Sequence, residues 1–302
     1  MGISTSNESR FLYKIDSNYK LTQIDNYASF EKTPFEEGAF RYCYKGEIRN
    51  INNDFCTNCY FPSGKCVVKV FKKKIAKYSS DLSEDFKNSI YANRMAKIFR
   101  STQMGSQCYD LKFVIPFAAS LEKYASYNLF FLIPIRDDDS MQKIKKNEWL
   151  AIEPYITGKY EKFVSNTNWT NPSIGEAIPA FMHWNWVYSK GEKVVSDVQG
   201  VIKNNYYQLT DPAVQSINQE YGSTDLGAYG ILVFLAKHKH NDLCKHLPWP
   251  SFHTINMLRS YHKVTNKRTS FSFEFKNDPN IKKFYLNIKK SVFHDDDDDF
   301  FY

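Results

Sequence analysis

Apolar and polar positions alternate in short bursts through the first half of the chain and fall into helical stripes through the second. "GAFRYCYKGEI" and "KCVVKVFKK" alternate or run apolar with β-branched and aromatic residues, which predicts two strands. The Asn-, Gly- and Pro-bearing "RNINNDFCTNCYFPSG" between them predicts a turn-rich connection. In "LSEDFKNSIYANRMAKIFRS" (82–101), Leu82, Phe86, Ile90, Met95, Ile98 and Phe99 fall near one stripe, the mark of an amphipathic helix. "LKFVIPFAASL", "YNLFFLIPI" and "EWLAIEPYI" return to strand character, with the charged loop "RDDDSMQKIKKN" before the last. Residues 1–27 are polar without sustained periodicity and read as a loosely attached arm.

A second region begins near 158. "NPSIGEAIPAFMHWNWVYS" predicts a helix with Ser173 near its start and Ile178, Phe181 and Trp184 or Trp186 on its apolar face. "EKVVSDVQGVI" reads as a short buried strand ending in a turn, and "LGAYGILVFLAKHK" as a second apolar helix. After Pro250 a basic, aromatic tail runs to "HDDDDDFFY". Strands with one helix, followed by a more helical half, predict a two-lobed α+β protein with a cleft between the lobes.

Composition sharpens this picture in two places. With 42% hydrophobic residues and 21 Tyr and 24 Phe in 302 positions, the chain can bury a large core. Its net charge of +7 includes five consecutive aspartates at 295–299, so the rest is more basic than the total suggests. A basic body suits polyphosphates, acidic substrates or nucleic acid, and charge alone does not choose among them. The six cysteines form no dense framework and the longest apolar run is too short to span a bilayer, so reduced thiols and a cytoplasmic location are expected. "MGISTS" fits an N-myristoylation pattern at Gly2; acylation there would give only weak peripheral membrane binding.

Several residues could carry chemistry, each with a plainer reading beside it. "VVSDVQG" delivers Asp197 from an apolar strand, with Gln199 and the permissive Gly200 after it, and "LTDP" places Asp211 fourteen residues on. Two aspartates and an amide can hold Mg²⁺ through oxygen ligands; the plainer reading is a pair of turn residues. Lys69, inside the apolar "CVVKVFKK", can meet phosphates as a point charge or face solvent from an edge strand. "EEGAFR" sets Gly38 and Arg41 at a small-residue turn. "YGSTDLGAYG" brings Gly222, Gly227 and Gly230 to a helix start, either as an anion- or peptide-contacting loop or as a connector capped by Asp225. "AKHKHNDLCKH" gathers His238, His240 and Cys244, three zinc-type donors short of the usual four.

Taken in order, "GAFR", "VVKVF", "EPYITGKYEKFVSN", "AFMHW", "VVSDVQG", "LTDP", "DLGAYG" and "AKHKHNDLC" resemble the motifs of alpha-kinases, over about residues 30–250. The resemblance implies a kinase-like fold with a strand-rich N-lobe (about 28–152) and a mixed C-lobe (about 153–250), the domain as a whole being 28–250 and the tail 251–302. It implies serine/threonine protein kinase activity with ATP, Mg²⁺ and a protein substrate. By the same resemblance Lys69 contacts ATP phosphates, Gly38 and Arg41 form the phosphate-covering turn, and Glu153 and Tyr155 hold adenine. Asp197 is the catalytic aspartate, Gln199 and Asp211 are Mg²⁺ ligands, and the loop with Gly222, Asp225, Gly227 and Gly230 receives the peptide.

The family also carries a structural zinc in the C-lobe, held by an early histidine fourteen residues before the catalytic aspartate and by an H-x-C-x3-C tract. Here the early position is His183, and the tract reads His238, His240 in place of a cysteine, and Cys244, which implies a His3Cys site. Other departures are a longer Asp197–Asp211 spacing, read as a longer hairpin, Val164 in place of asparagine, and Asn168 in place of glycine. Asn168 can keep a left-handed turn. Cys56, Cys59 and Cys66 are read as unmetallated surface thiols. Two alternatives stand beside the kinase: a catalytically weak pseudokinase scaffold of the same fold, and a basic nucleic-acid-binding protein, against which no recognisable nucleic-acid module is present. The aspartate run is read as a solvated terminus, with a pseudosubstrate-like brake as the sharper option.

Overall fold

The computed structural model describes residues 6–38, 40–72, 76–123, 127–129, 133–135, 144–172, 174–265 and 279–292. The chain forms two compact units, Met1–Ile90 with Val114–Thr157, and Tyr91–Phe113 with Gly158–Tyr302. Both contain strands and helices, the α+β class expected.

A nine-stranded sheet builds the first unit. Arg41–Asn50 pairs with Lys65–Phe71, which pairs with Trp149–Pro154, which pairs with Phe117–Lys123, all antiparallel. Asn7–Ser9 bonds both Asn26–Phe30 and Phe117–Lys123, and this double pairing closes the sheet into a ring without free edges along that path. Leu12–Ile15 and Leu21–Ile24 form a hairpin carried by Phe117–Lys123. The loosely attached arm expected over 1–27 is therefore corrected from residue 7 onward. Leu12 and Ile15 are buried, and Ser9 Oγ accepts the Ala28 N–H at 2.9 Å. Strands of three to five residues separated by turns are too short to show a period, which is why the polar average hid them.

Inside the ring Phe30, Ile48, Val68, Phe117, Leu150 and Ile152 pack together. The helix Ser83–Arg100 matches the predicted stripe, with Phe86 and Ile90 in the core of the first unit and Met95 and Phe99 in that of the second. The run "LKFVIPFAASL" is two strands rather than one, Asp110–Phe113 and Phe117–Lys123, broken where Pro116 removes a ladder donor. "YNLFFLIPI" contains the short antiparallel pair Tyr127–Leu129 and Ile133–Ile135.

The second unit packs the helices Ala177–Tyr188 and Ala228–Lys237, both buried over most of their length, against small sheets. One is the pair Lys193–Ser196 and Ala213–Ser216; the other orders Glu161–Lys162, Gln199–Ile202, Tyr206–Thr210 and Asp110–Phe113. The second unit takes residues 91–113 as well as those from 158 onward. The tail also folds: Phe252–Thr265 and Pro279–Val292 are helices, and Ile255, Leu258 and Ile281 are buried in the second unit's core. Ser173, Gly2 and the aspartate run lie outside the described residues. Among the described residues no helix is long and apolar enough to cross a membrane.

Candidate active site and metal centre

In the first unit, the register opposes Lys69 to Ala151 and Val67 to Glu153, so Lys69 and Glu153 are diagonal neighbours on one face. Lys69 Nζ lies 2.8 Å from Glu153 Oε2, with side-chain exposures of 8% and 5%. The alternating Val68 and Val70 bury the opposite face, which fixes the lysine's direction. Sequence reasoning gave these residues separate tasks; the structure joins them. The Tyr155 N–H donates to the Lys65 carbonyl at 3.0 Å and so extends the pairing past Pro154.

Arg41 is held by other groups of the first unit. It begins a strand, its guanidinium pairs with Asp85, and it lies over the Phe71 ring at 3.1 Å from the centroid. The aspartate and the aromatic face fix the guanidinium while its Nη1 is buried without a hydrogen-bond partner. Gly38 does form a tight turn, its N–H donating to the Arg41 carbonyl at 2.9 Å, with open space on its Cβ side.

In the second unit the strand Lys193–Ser196 ends at Asp197, whose φ of 53° is left-handed; Gln199 then starts the next strand. Gln199 is opposite Lys162 on one side and Thr210 on the other, and Asp211, with φ 50°, follows Thr210. The register therefore gathers Asp197, Gln199 and Asp211 at one end of a hairpin, Gln199–Ile202 with Tyr206–Thr210, as the longer spacing predicted. Two aspartates held in a sparsely populated conformation are what functional sites commonly show. Gly200 is required where it stands: its φ is 150°, and a Cβ would collide with the Gln208 carbonyl across the hairpin.

Lys162 Nζ lies 2.8 Å from Asp197 Oδ1. Burial pushes the Asp197 carboxyl up, while Lys162 and the Asn166 N–H pull it down and nearby Asp211 pushes it up again. Lys162 and Asn166 were missed in the sequence because Glu161–Lys162 is a two-residue strand that shows no period. Val164 is buried, and its N–H donates to the Val198 carbonyl at 3.0 Å, so the valine costs no backbone bond. Asn168 adopts φ 57°, the left-handed turn foreseen.

The 222–230 loop is partly structural. Gly222 and Gly227 have φ of 90° and 70°, and Gly227 precedes the helix Ala228–Lys237. Asp225 is fully buried; it accepts from the Ser216 and Gly227 N–H groups at 2.9 Å and from Ser216 Oγ at 2.5 Å. It is an internal anchor of the loop, and Gly227 rather than Asp225 is the helix cap.

His183, His238 and His240 bring one ring nitrogen each to within 4.8 Å of one another, and Cys244 Sγ lies 3.5 Å from His238 Nε2. A carbonyl can only accept, so His183 Nε2–H donates to the Pro248 carbonyl at 3.1 Å and His240 Nδ1–H to the Cys244 carbonyl at 3.1 Å. That leaves His183 Nδ1 and His240 Nε2 with lone pairs. His183 Nδ1 is buried without a hydrogen-bond partner. Burial lowers His183 to about 4 and His238 to about 3, which keeps both in the neutral, ligating form. The donor set and the orphaned nitrogen fit a zinc ion. Trp249 covers the cluster, 4.7 Å from the His240 ring and stacked on His238.

The cysteines need one correction: Cys59 is exposed and Cys56 half-buried, but Cys66 is buried, its thiol pushed up by desolvation, so it is not a surface thiol. Among the described residues the histidine cluster is the one group of three or more His, Cys, Asp or Glu side chains close enough to share a metal ion.

The family model for the alpha-kinase family matches residues 36–244. The chain belongs to the alpha-kinase family. It is 30% identical over 237 residues to the alpha-protein kinase vwkA of Dictyostelium discoideum, covering 77% of this chain and 33% of the relative. The chain thus spans about a third of that relative's length. Among solved structures it resembles a novel alpha kinase from Entamoeba histolytica, at 24% identity and TM-score 0.59 over 82% of this chain and 93% of that one. It also resembles the alpha-kinase domain of myosin heavy chain kinase A complexed with ADP, at 22% identity and TM-score 0.57 over 81% and 97%. At these identities the structural likeness speaks for the fold alone.

Proposed function

We propose that this chain transfers the γ-phosphate of ATP to serine or threonine hydroxyls of a protein substrate. The observation that carries the reading is the hairpin register that gathers Asp197, Gln199 and Asp211, with Lys162 on Asp197. Lys69, held by Glu153, meets the nucleotide phosphates as a point charge. With the Glu153 carboxylate on Lys69, adenine is left to the backbone after it and to Tyr155. Asp197 orients the acceptor hydroxyl and takes its proton as the oxygen bonds to phosphorus and the bond to ADP breaks. Lys162 offsets the charge on Asp197 and neighbouring phosphate. Gln199 and Asp211 are the oxygen donors that would hold Mg²⁺, which supplies charge neutralisation on the phosphates. Gly222 and Gly227 shape the loop that receives the peptide.

His183, His238, His240 and Cys244 form a structural His3Cys zinc site in the same reading, with Trp249 shielding it. Its role is to cross-link the helix Ala177–Tyr188 to the segment after Ala228–Lys237, contributing folding free energy. Asp197→Ala tests the catalytic assignment: the variant keeps its circular dichroism spectrum and ATP binding but loses phosphate transfer. Robust residual transfer would remove Asp197 from its role. Metal analysis of the pure protein tests the second claim, with about one zinc per chain expected and none in soluble, folded protein refuting it.

A further inference from the structure

Gln215 lies on the strand Ala213–Ser216, is 1% exposed, and has no part in the chemistry above. Its amide is used on both sides. Oε1 accepts the Leu226 N–H at 2.6 Å, which fixes the orientation of the group and turns Nε2 the other way. Nε2 then donates to Asn166 Oδ1 at 2.5 Å and Ser196 Oγ at 2.8 Å, with the Thr224 carbonyl at 3.3 Å. Asn166 Nδ2 completes the circuit by donating to the Thr224 carbonyl at 2.9 Å. These partners are not arbitrary. Ser196 is the residue before Asp197, and the Asn166 N–H donates to the Asp197 carboxylate. Thr224 and Leu226 flank Asp225 in the loop Gly222–Gly230.

Gly230 gives a second, independent sign that this amide is provided for. It sits in the first turn of the helix Ala228–Lys237, where alanine would favour the helix, yet a Cβ there would collide with Gln215 Oε1 and Cδ. The glycine of "LGAYG" thus makes room for Gln215 rather than for a ligand.

We propose that Gln215 is a positioning residue that ties the two backbone segments holding Asp197 to the 222–230 loop, so that acceptor binding and the catalytic carboxylate share one buried amide. The proposal rests on the kinase reading and adds the coupling between base and peptide loop. A neutral amide suits the task because it offers donors and an acceptor in opposite directions; a carboxylate would face Asn166 Oδ1 with a second acceptor, and an apolar side chain would orphan the Leu226 N–H.

The test uses the full chain with Gln215→Met and, separately, Gly230→Ala, which crowds the amide while improving helix propensity. Both are expected to lower kcat about tenfold and to raise KM for a protein acceptor severalfold while leaving KM for ATP within about twofold, as loss of alignment rather than of nucleotide binding. Adding Asn166→Ala to Gln215→Met should cost little more than either alone. Hydrogen exchange read on the same proteins should show the Leu226 amide losing protection in both variants. Activity that falls only in step with the folded fraction, with the acceptor KM unchanged, overturns the proposal, as does unchanged exchange at Leu226. If the wild type transfers no phosphate, the kinase reading falls, and the exchange result alone decides whether Gln215 holds the loop.

Discussion

The Lys69–Glu153 pair allows a quantitative test. At 2.8 Å and an effective dielectric of about 20, two unit charges attract by about 6 kcal/mol. With both side chains more than nine-tenths buried, desolvation costs several kcal/mol per ion, so the net contribution to stability is near zero. Removing one partner keeps the cost and loses the attraction. Lys69→Met and Glu153→Leu should therefore each destabilise the first unit by about 3–5 kcal/mol, while the double variant should lie within about 1 kcal/mol of wild type. Urea unfolding followed by tryptophan fluorescence reports this, since Trp149 is on the strand that carries Glu153. The single variants should lower the midpoint by roughly 1–2 M and the double should restore it. If the two single costs simply add in the double variant, the charges are not coupled and the pairing is refuted. None of the three should transfer phosphate, because the lysine is either absent or unaligned. Such a pair contributes little net stability, which fits a lysine held in place for a ligand.

Other expectations follow from the same geometry. Asn168→Gly should be neutral or stabilising in thermal unfolding, whereas Asn168→Ala should cost about 1–2 kcal/mol at φ 57°. Gly200→Ala should abolish phosphate transfer and cost more than about 2 kcal/mol, because the β-carbon would force apart the hairpin that carries Gln199 and Asp211. A strong chelator should lower the unfolding midpoint of wild type, with zinc restoring it, and His183→Ala should abolish that response; removal of the metal is worth on the order of several kcal/mol.

Long, regular elements were legible in the chain. The stripe over 82–101 became the helix Ser83–Arg100, and the alternation in "KCVVKVFKK" became Lys65–Phe71. The Asp197–Asp211 spacing, long by comparison with the family, predicts the hairpin that Gln199–Ile202 and Tyr206–Thr210 form. What was not legible depends on partners far away in sequence. Asn7–Ser9 closes the ring only because Asn26–Phe30 and Phe117–Lys123 offer it edges, and no local period records that. The tail read as basic because its lysines outnumber the few apolar residues, Ile255, Leu258 and Ile281, that dock it. Lys162, Asn166 and Gln215 are ordinary polar residues until the register and the burial of Asp197 give them acceptors. The partner of Arg41, Asp85, is 44 residues on, so nothing local to the start of the strand records that pair.

The most direct test of the kinase reading is transfer from γ-labelled ATP to a basic generic protein substrate with Mg²⁺ present, followed by phosphoamino-acid analysis. Wild type is expected to label serine or threonine, and omission of Mg²⁺ should abolish the label. A folded wild-type protein that binds ATP and labels neither residue would contradict the account and leave a pseudokinase scaffold in its place.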